Sequence, residues 1–121
     1  MKSEVKTALC SALRSGEYKQ GRNVLKKIDR DGVTRHCCLG VLTELYVDTK
    51  HVKEGWKKPR RILDDRRVQV YPYGRQKDWD MPKKAIRNWA GIDAEQTRHL
   101  AGMNDKGRSF KQIADYIEKN M

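Results

Sequence analysis

The sequence predicts a small α+β domain in which four to five helices pack around a central apolar helix, beside a short antiparallel hairpin or sheet. Three observations lead there. Apolar residues recur at helical spacing in several separate stretches, and one of these is apolar almost all round. Two short arms flank an Asp31-Gly32 turn. The length of 121 residues suits one core without staples, so a single domain over residues 1–121 is expected.

Val5, Ala8, Leu9, Ala12 and Leu13 mark the first helix, with Ser3 as its expected cap and Gly16 as its end. Residues Asn23 to His36 read as the hairpin, with Val24 and Ile28 before the turn and Val33 after it. Cys37 to Val47 follows as the central helix, carrying Cys38, Leu39, Val41, Leu42, Leu45 and Tyr46. Gly40 inside it lowers helix propensity by about 1 kcal/mol relative to alanine, which a close backbone contact would explain.

Val68, Val70 and Tyr71 suggest a strand, and Tyr71-Pro72-Tyr73-Gly74 a turn. Pro59 breaks any helix before Arg60. Pro82 is expected as the first residue of a helix that carries Ala85, Ile86, Trp89 and Ala90 and closes at Gly91. Asp93 and Gln96 form an expected capping pair for a helix through about Gly102. After a turn at Asn104 to Gly107, Ser109 and Gln112 form a second capping box, and Phe110, Ile113, Ala114 and Ile117 give an amphipathic last helix.

Charge is the strongest functional signal. Lys and Arg number 27 against 16 Asp and Glu, a net charge of +11. Such a surplus repels itself unless an anionic partner or solvent ions screen it. Ten Lys and Arg but three acids fall between Lys50 and Lys77, interleaved with Trp56, Tyr71 and Tyr73. Phosphates need clustered cations, and unpaired bases stack on exposed aromatics. The predicted binding residues are therefore Trp56, Lys57, Lys58, Arg60, Arg61, Arg66, Arg67, Tyr71 and Tyr73, with Lys83, Lys84 and Arg87 extending the patch. The competing expectation is a solvated basic surface with the aromatics buried.

The adjacent Cys37 and Cys38 admit three readings. A thiolate at a helix N-terminus is stabilised by the dipole, which suits a nucleophile, but His36, His51 and His99 are the available bases and none sits at a persuasive spacing. Zinc needs four ligands in short-spaced pairs, and no C-x-x-C pair exists. Packing in the core is favoured over both. With three cysteines, two of them adjacent, a disulfide framework is disfavoured and a reducing compartment fits. The first residues lack a signal peptide's apolar segment, and no apolar run approaches the roughly 20 residues that span a bilayer. The expectation is a cytosolic protein with no membrane partner, no metal, no cofactor and no catalytic residue.

Two further motifs are weaker. Ser109 to Ala114 is similar to the opening helix of a helix-turn-helix unit, which requires a recognition helix after it. Docking of this helix on the core is the favoured reading. Asn104-Asp105 could bind a metal or a substrate polar group, but a turn that orders the last helix is preferred.

Leu13 to Gly21, Cys37-Cys38-Leu39-Gly40-Val41-Leu42, Met81-Pro82, Trp89-Ala90-Gly91-Ile92, Met103 to Phe110, Ile113-Ala114 and Ile117-Glu118 together form a distinctive series. This series resembles a group of small uncharacterised proteins encoded by tailed bacteriophages and prophages, over most of residues 12–47 and 81–118. The resemblance implies an accessory role in the bacterial host cytoplasm and assigns no catalytic residue. The expected function is binding of nucleic acid or a host nucleoprotein, with counter-defence as one setting. The alternatives are a stoichiometric protein inhibitor of a host defence or nucleic-acid-processing protein, and a cysteine-dependent hydrolase.

Overall fold

The computed structural model describes residues 1–50, 55–61, 65, 67–74 and 79–121. In chain order the elements are α1 (Ser3–Arg14), β1 (Lys19–Gln20), β2 (Lys26–Ile28), β3 (Thr34–His36), α2 (Cys38–Lys50), β4 (Gln69–Val70), α3 (Lys84–Ala90), α4 (Ala94–Asp105) and α5 (Phe110–Asn120). This is the expected small α+β domain built around one core. The four strands run in the order β1-β3-β2-β4.

α2 is the hub. Cys38, Leu39, Gly40, Val41, Leu42 and Thr43 are all buried, because α1, α3, α4 and the sheet meet it on several sides. Gly40 shows why it must be glycine: a Cβ there would stand 1.8 Å from the carbonyl oxygen of Leu25. The expected close approach is thus real, and it is the hairpin's backbone that comes close. The Leu25 carbonyl also accepts the Cys37 N–H at 3.2 Å, which ties the hairpin to the start of the helix.

The hairpin joins β2 and β3 in antiparallel register, with Lys27 opposite Arg35. Its turn is local chemistry: Gly32 adopts φ +79°, and the Asp31 carboxylate accepts the Val33 N–H at 3.0 Å. The sheet is nonetheless mixed where an antiparallel one was expected, because β1 pairs in parallel with β3. β1 is two residues long and lacks alternation, so nothing local announces it.

α1 and α5 pack against each other at the outer side of the hub. Val5, Leu9, Cys10 and Leu13 are buried on α1, and Phe110, Ile113, Ala114 and Ile117 on α5. At the rim Arg14 spans Asp115 and Glu118 at 2.8 and 2.6 Å. As preferred, the last helix docks on the core. Both expected capping boxes are present, Asp93 with Gln96 and Ser109 with Gln112.

Several helix limits differ from expectation. Lys2 occupies the N-cap of α1 without a side-chain bond, and Ser3 is already helical, its carbonyl accepting the Thr7 hydroxyl at 3.0 Å. α3 starts at Lys84 after an N-cap at Lys83, so Pro82 lies outside the helix. α4 continues past Gly102 to Asp105, because Asn104 is held inside the core.

That asparagine joins three elements. Its Oδ1 accepts the Cys38 N–H and the Gln20 side-chain amide, each at 3.1 Å, and its Nδ2 donates to the Gly21 carbonyl at 2.8 Å. The next residue, Asp105, accepts the Asn23 N–H at 2.9 Å. The Asn104-Asp105 pair therefore fixes the β1–β2 connection and satisfies the first N–H of α2. The Cys37 sulfur accepts another, that of Gly40, at 3.4 Å.

Candidate nucleic-acid interface

The segment from Trp56 to Arg60 runs antiparallel beside residues 70–73, outside β4. Bridges link Trp56 with Tyr73 and Arg60 with Val70. Four steps separate the bridges on one side and three on the other, so the outer segment carries one extra residue, a bulge around Pro59. Lys57, Lys58, Arg60 and Arg61 are exposed there, and among the described residues none is ion-paired with an acid. A bulge, a proline and cations on an open edge also deter strand addition by another chain, so the edge has a structural use beside any binding use.

The other predicted residues divide. Arg67 pairs with Asp65 at 3.2 Å, and Asp65 also pairs with Arg30. These contacts, first the bonds from Arg67, hold the Asp65 carboxyl down at about 2, below its usual range. Arg67 is thus partly neutralised. Arg66, like His51, lies outside the described residues. Lys83 sits 5.5 Å over the Tyr73 ring, which brings α3 to the aromatic cluster, while Arg87 turns to the Pro82 carbonyl at 2.7 Å.

The aromatics need correction. Tyr73 is 3% exposed and belongs to the core, so it offers no stacking face. Trp56 is half-buried, with Tyr73, Tyr71 and His36 packed edge-on at 5.4, 6.4 and 6.5 Å between centroids. Its indole N–H donates to Glu44. Tyr71 is also half-buried. Lys26 lies over both rings, its ammonium 5.0 Å from the Trp56 centroid and 4.6 Å from that of Tyr71. Burial removes Tyr73 from an unpaired base, and packing with cation–π contact narrows access to Trp56 and Tyr71. Lys26, on the hairpin, escaped the sequence reading because its distance along the chain from Trp56 hides its place over that ring.

Beneath the rings lies a polar knot. Glu44 reaches Lys26 at 3.6 Å and His36 at 3.8 Å. Burial works to raise its pKa, but His36, Lys26 and Trp56 together hold it below the usual glutamate value. His36 is 6% exposed, and among the described residues neither ring nitrogen has a hydrogen-bond partner. A base poised on a thiol would need such a bond, and His99 instead packs on the Tyr116 ring at 5.0 Å.

The three thiols are free and buried. Burial pushes the Cys37 thiol up to about 12, despite bonds from the Gly40 and Leu39 backbone, and lifts Cys38 well above its ordinary value. Cys38 points its sulfur at the Leu100 carbonyl, 3.6 Å away. In the native protein, iodoacetamide near neutral pH is expected to label neither residue rapidly, while urea exposes Cys10, Cys37 and Cys38 to modification. Rapid native labelling at Cys37 or Cys38, read by mass spectrometry, would contradict this placement. Among the described residues no group of three His, Cys, Asp or Glu side chains is placed to hold a metal ion, and no helix is long and apolar enough to cross a membrane.

Together these features define a small basic α+β domain with exposed cations along one edge of its sheet, none of them ion-paired with an acid among the described residues. The chain belongs to the family described as Domain of unknown function (DUF8296), whose model matches residues 1–121. No curated protein and no solved structure matches it.

Proposed function

We propose that this protein is a non-enzymatic accessory protein that binds nucleic acid, or a nucleoprotein, through phosphate contacts from Lys57, Lys58, Arg60 and Arg61. The observation that carries the reading is the row of exposed cations along the sheet edge, which have no acidic partner among the described residues. A phage or prophage setting in a bacterial host cytoplasm, with counter-defence as a role, accords with the resemblance in the sequence. The withdrawn aromatics reduce stacking, so attraction to the backbone dominates and sequence preference is weak.

Binding to a labelled DNA duplex is expected at low salt, with log K falling against log salt at a slope of about −3 to −4 for four phosphate contacts. Charge reversal at Arg60 and Arg61 is expected to flatten that slope by about 2. Undetectable binding to both DNA and RNA at low salt would remove the proposal.

The burial of Tyr73 also favours a second reading, a stoichiometric inhibitor that sets the basic edge against an acidic host protein, since neither partner then needs a stacked base. A pulldown from bacterial lysate with and without nuclease separates the two. A stoichiometric partner that survives nuclease supports the inhibitor.

A further inference from the structure

A second cationic surface lies at the other edge of the sheet. Where α4 ends and α5 begins, a cleft of about 600 Å³ is lined by Arg98, His99, Lys106, Arg108 and Gln112, with no Asp or Glu in its lining. Arg22 adds to it, its guanidinium 3.4 Å from where a Cβ on Gly107 would stand. Among the described residues Arg22, Arg98, Lys106 and Arg108 have no ion-pair partner. Asp105, the acid beside Lys106, is turned to the Asn23 N–H.

The cleft is held firmly. Arg108 donates its N–H to Met103 at 3.0 Å, and its carbonyl accepts the Gln20 amide of β1 at 2.7 Å. The surface therefore stands beside β1, whereas the Lys57–Arg61 row stands beyond β4. At ~4.8 Å per strand, these flanks are separated by at least ~14 Å across the sheet.

Gly102 lines the same cleft and has no structural explanation. It is inside α4, its φ is not positive, and a Cβ there would meet nothing within 4 Å. Alanine would improve the helix at that position. A glycine on the wall of a cationic cleft fits close approach of a ligand to the backbone. Two cations near the end of α4 also complement its dipole, but that role needs neither Arg98 nor an open Gly102.

We infer that the cleft between α4 and α5 binds phosphate groups of a nucleic-acid backbone, as a site separate from the Lys57–Arg61 edge. The inference rests on the nucleic-acid reading above. Arg98 and Arg108 supply planar donors that match phosphate oxygens, Lys106 supplies a point charge, and Gly102 leaves room for the backbone to come close.

The test uses the full chain and a labelled DNA duplex of two helical turns. The double variant Arg98→Gln with Arg108→Gln is expected to bind about tenfold more weakly at low salt, with a salt slope shallower by about 2. Gly102→Ala is expected to raise the melting temperature and still weaken binding, which a purely structural glycine would not do. If both variants bind like the wild type while charge reversal at Arg60 and Arg61 still flattens the slope, the cleft is not a phosphate site and the first reading survives. If the wild-type protein binds no duplex, both readings fall. Perturbation of the Gly102 and Gly107 amide resonances by the duplex supports the site, and perturbation by tripolyphosphate without duplex binding overturns it.

Discussion

Replacing Gly40 with alanine is expected to destabilise the protein by at least about 3 kcal/mol, the upper part of what overpacking a core costs. The sign is the informative part. In an unobstructed helix the same change gains about 1 kcal/mol. Here the added methyl would overlap the Leu25 carbonyl at 1.8 Å, and its next contacts, at 2.7 and 3.3 Å, are also backbone atoms of Leu25. No side chain can swing away. Relief requires the hairpin to move off α2, which breaks the Cys37 N–H to Leu25 bond and opens the contact that buries Leu25 completely. Urea unfolding of Gly40→Ala, compared with the wild type, measures the loss. A variant as stable as the wild type would mean that the hairpin does not sit on this helix.

Asn104→Ala is expected to cost about 3–4 kcal/mol, because two backbone groups near the core, the Cys38 N–H and the Gly21 carbonyl, lose their partner at once. Gln20 loses a third bond but keeps the Arg108 carbonyl, so it contributes less. The cavity left by the side chain adds to the loss, since Asn104 is completely buried. For a domain of this length the melting temperature should fall by roughly 10–15 °C. Asn104→Asp does not rescue it: the carboxylate keeps an acceptor for Cys38 but faces the Gly21 carbonyl with no donor and buries a charge. Thermal melts of both variants check this, and a shift of a degree or two for either would show that water replaces the bonds.

These two residues also mark the boundary of what could be read from residues alone. Gly40 was legible because a glycine inside an apolar helix contradicts local propensity and so demands a neighbour. The capping boxes at Asp93 and Ser109 and the Asp31-Gly32 turn were legible for a similar reason: their chemistry is complete within four residues. Asn104 reads as part of a turn, because its three partners lie 66 to 84 positions away and leave no trace in its own neighbourhood. β1 escaped for the same reason, since its partner β3 supplies all the order that two residues have. At the candidate site the cations Lys57, Lys58, Arg60 and Arg61 are exposed as expected. Tyr73 is not, and the reason is physical: an aromatic between basic residues reads alike whether its ring faces water or the core.

The pairing of α1 with α5 carries a consequence in time. Cys10 and Ala114, which meet across it, are 104 positions apart. At about 5–20 residues per second, a ribosome needs roughly 5–20 s to make the chain between them. Throughout that interval Val5, Leu9 and Leu13 lack the surface that finally covers them. Contacts of such separation also slow the search that closes them. α1, made well before α5, is therefore among the last of these helices to find its place, and a nascent chain held before α5 emerges should show an α1 open to proteases and chaperones.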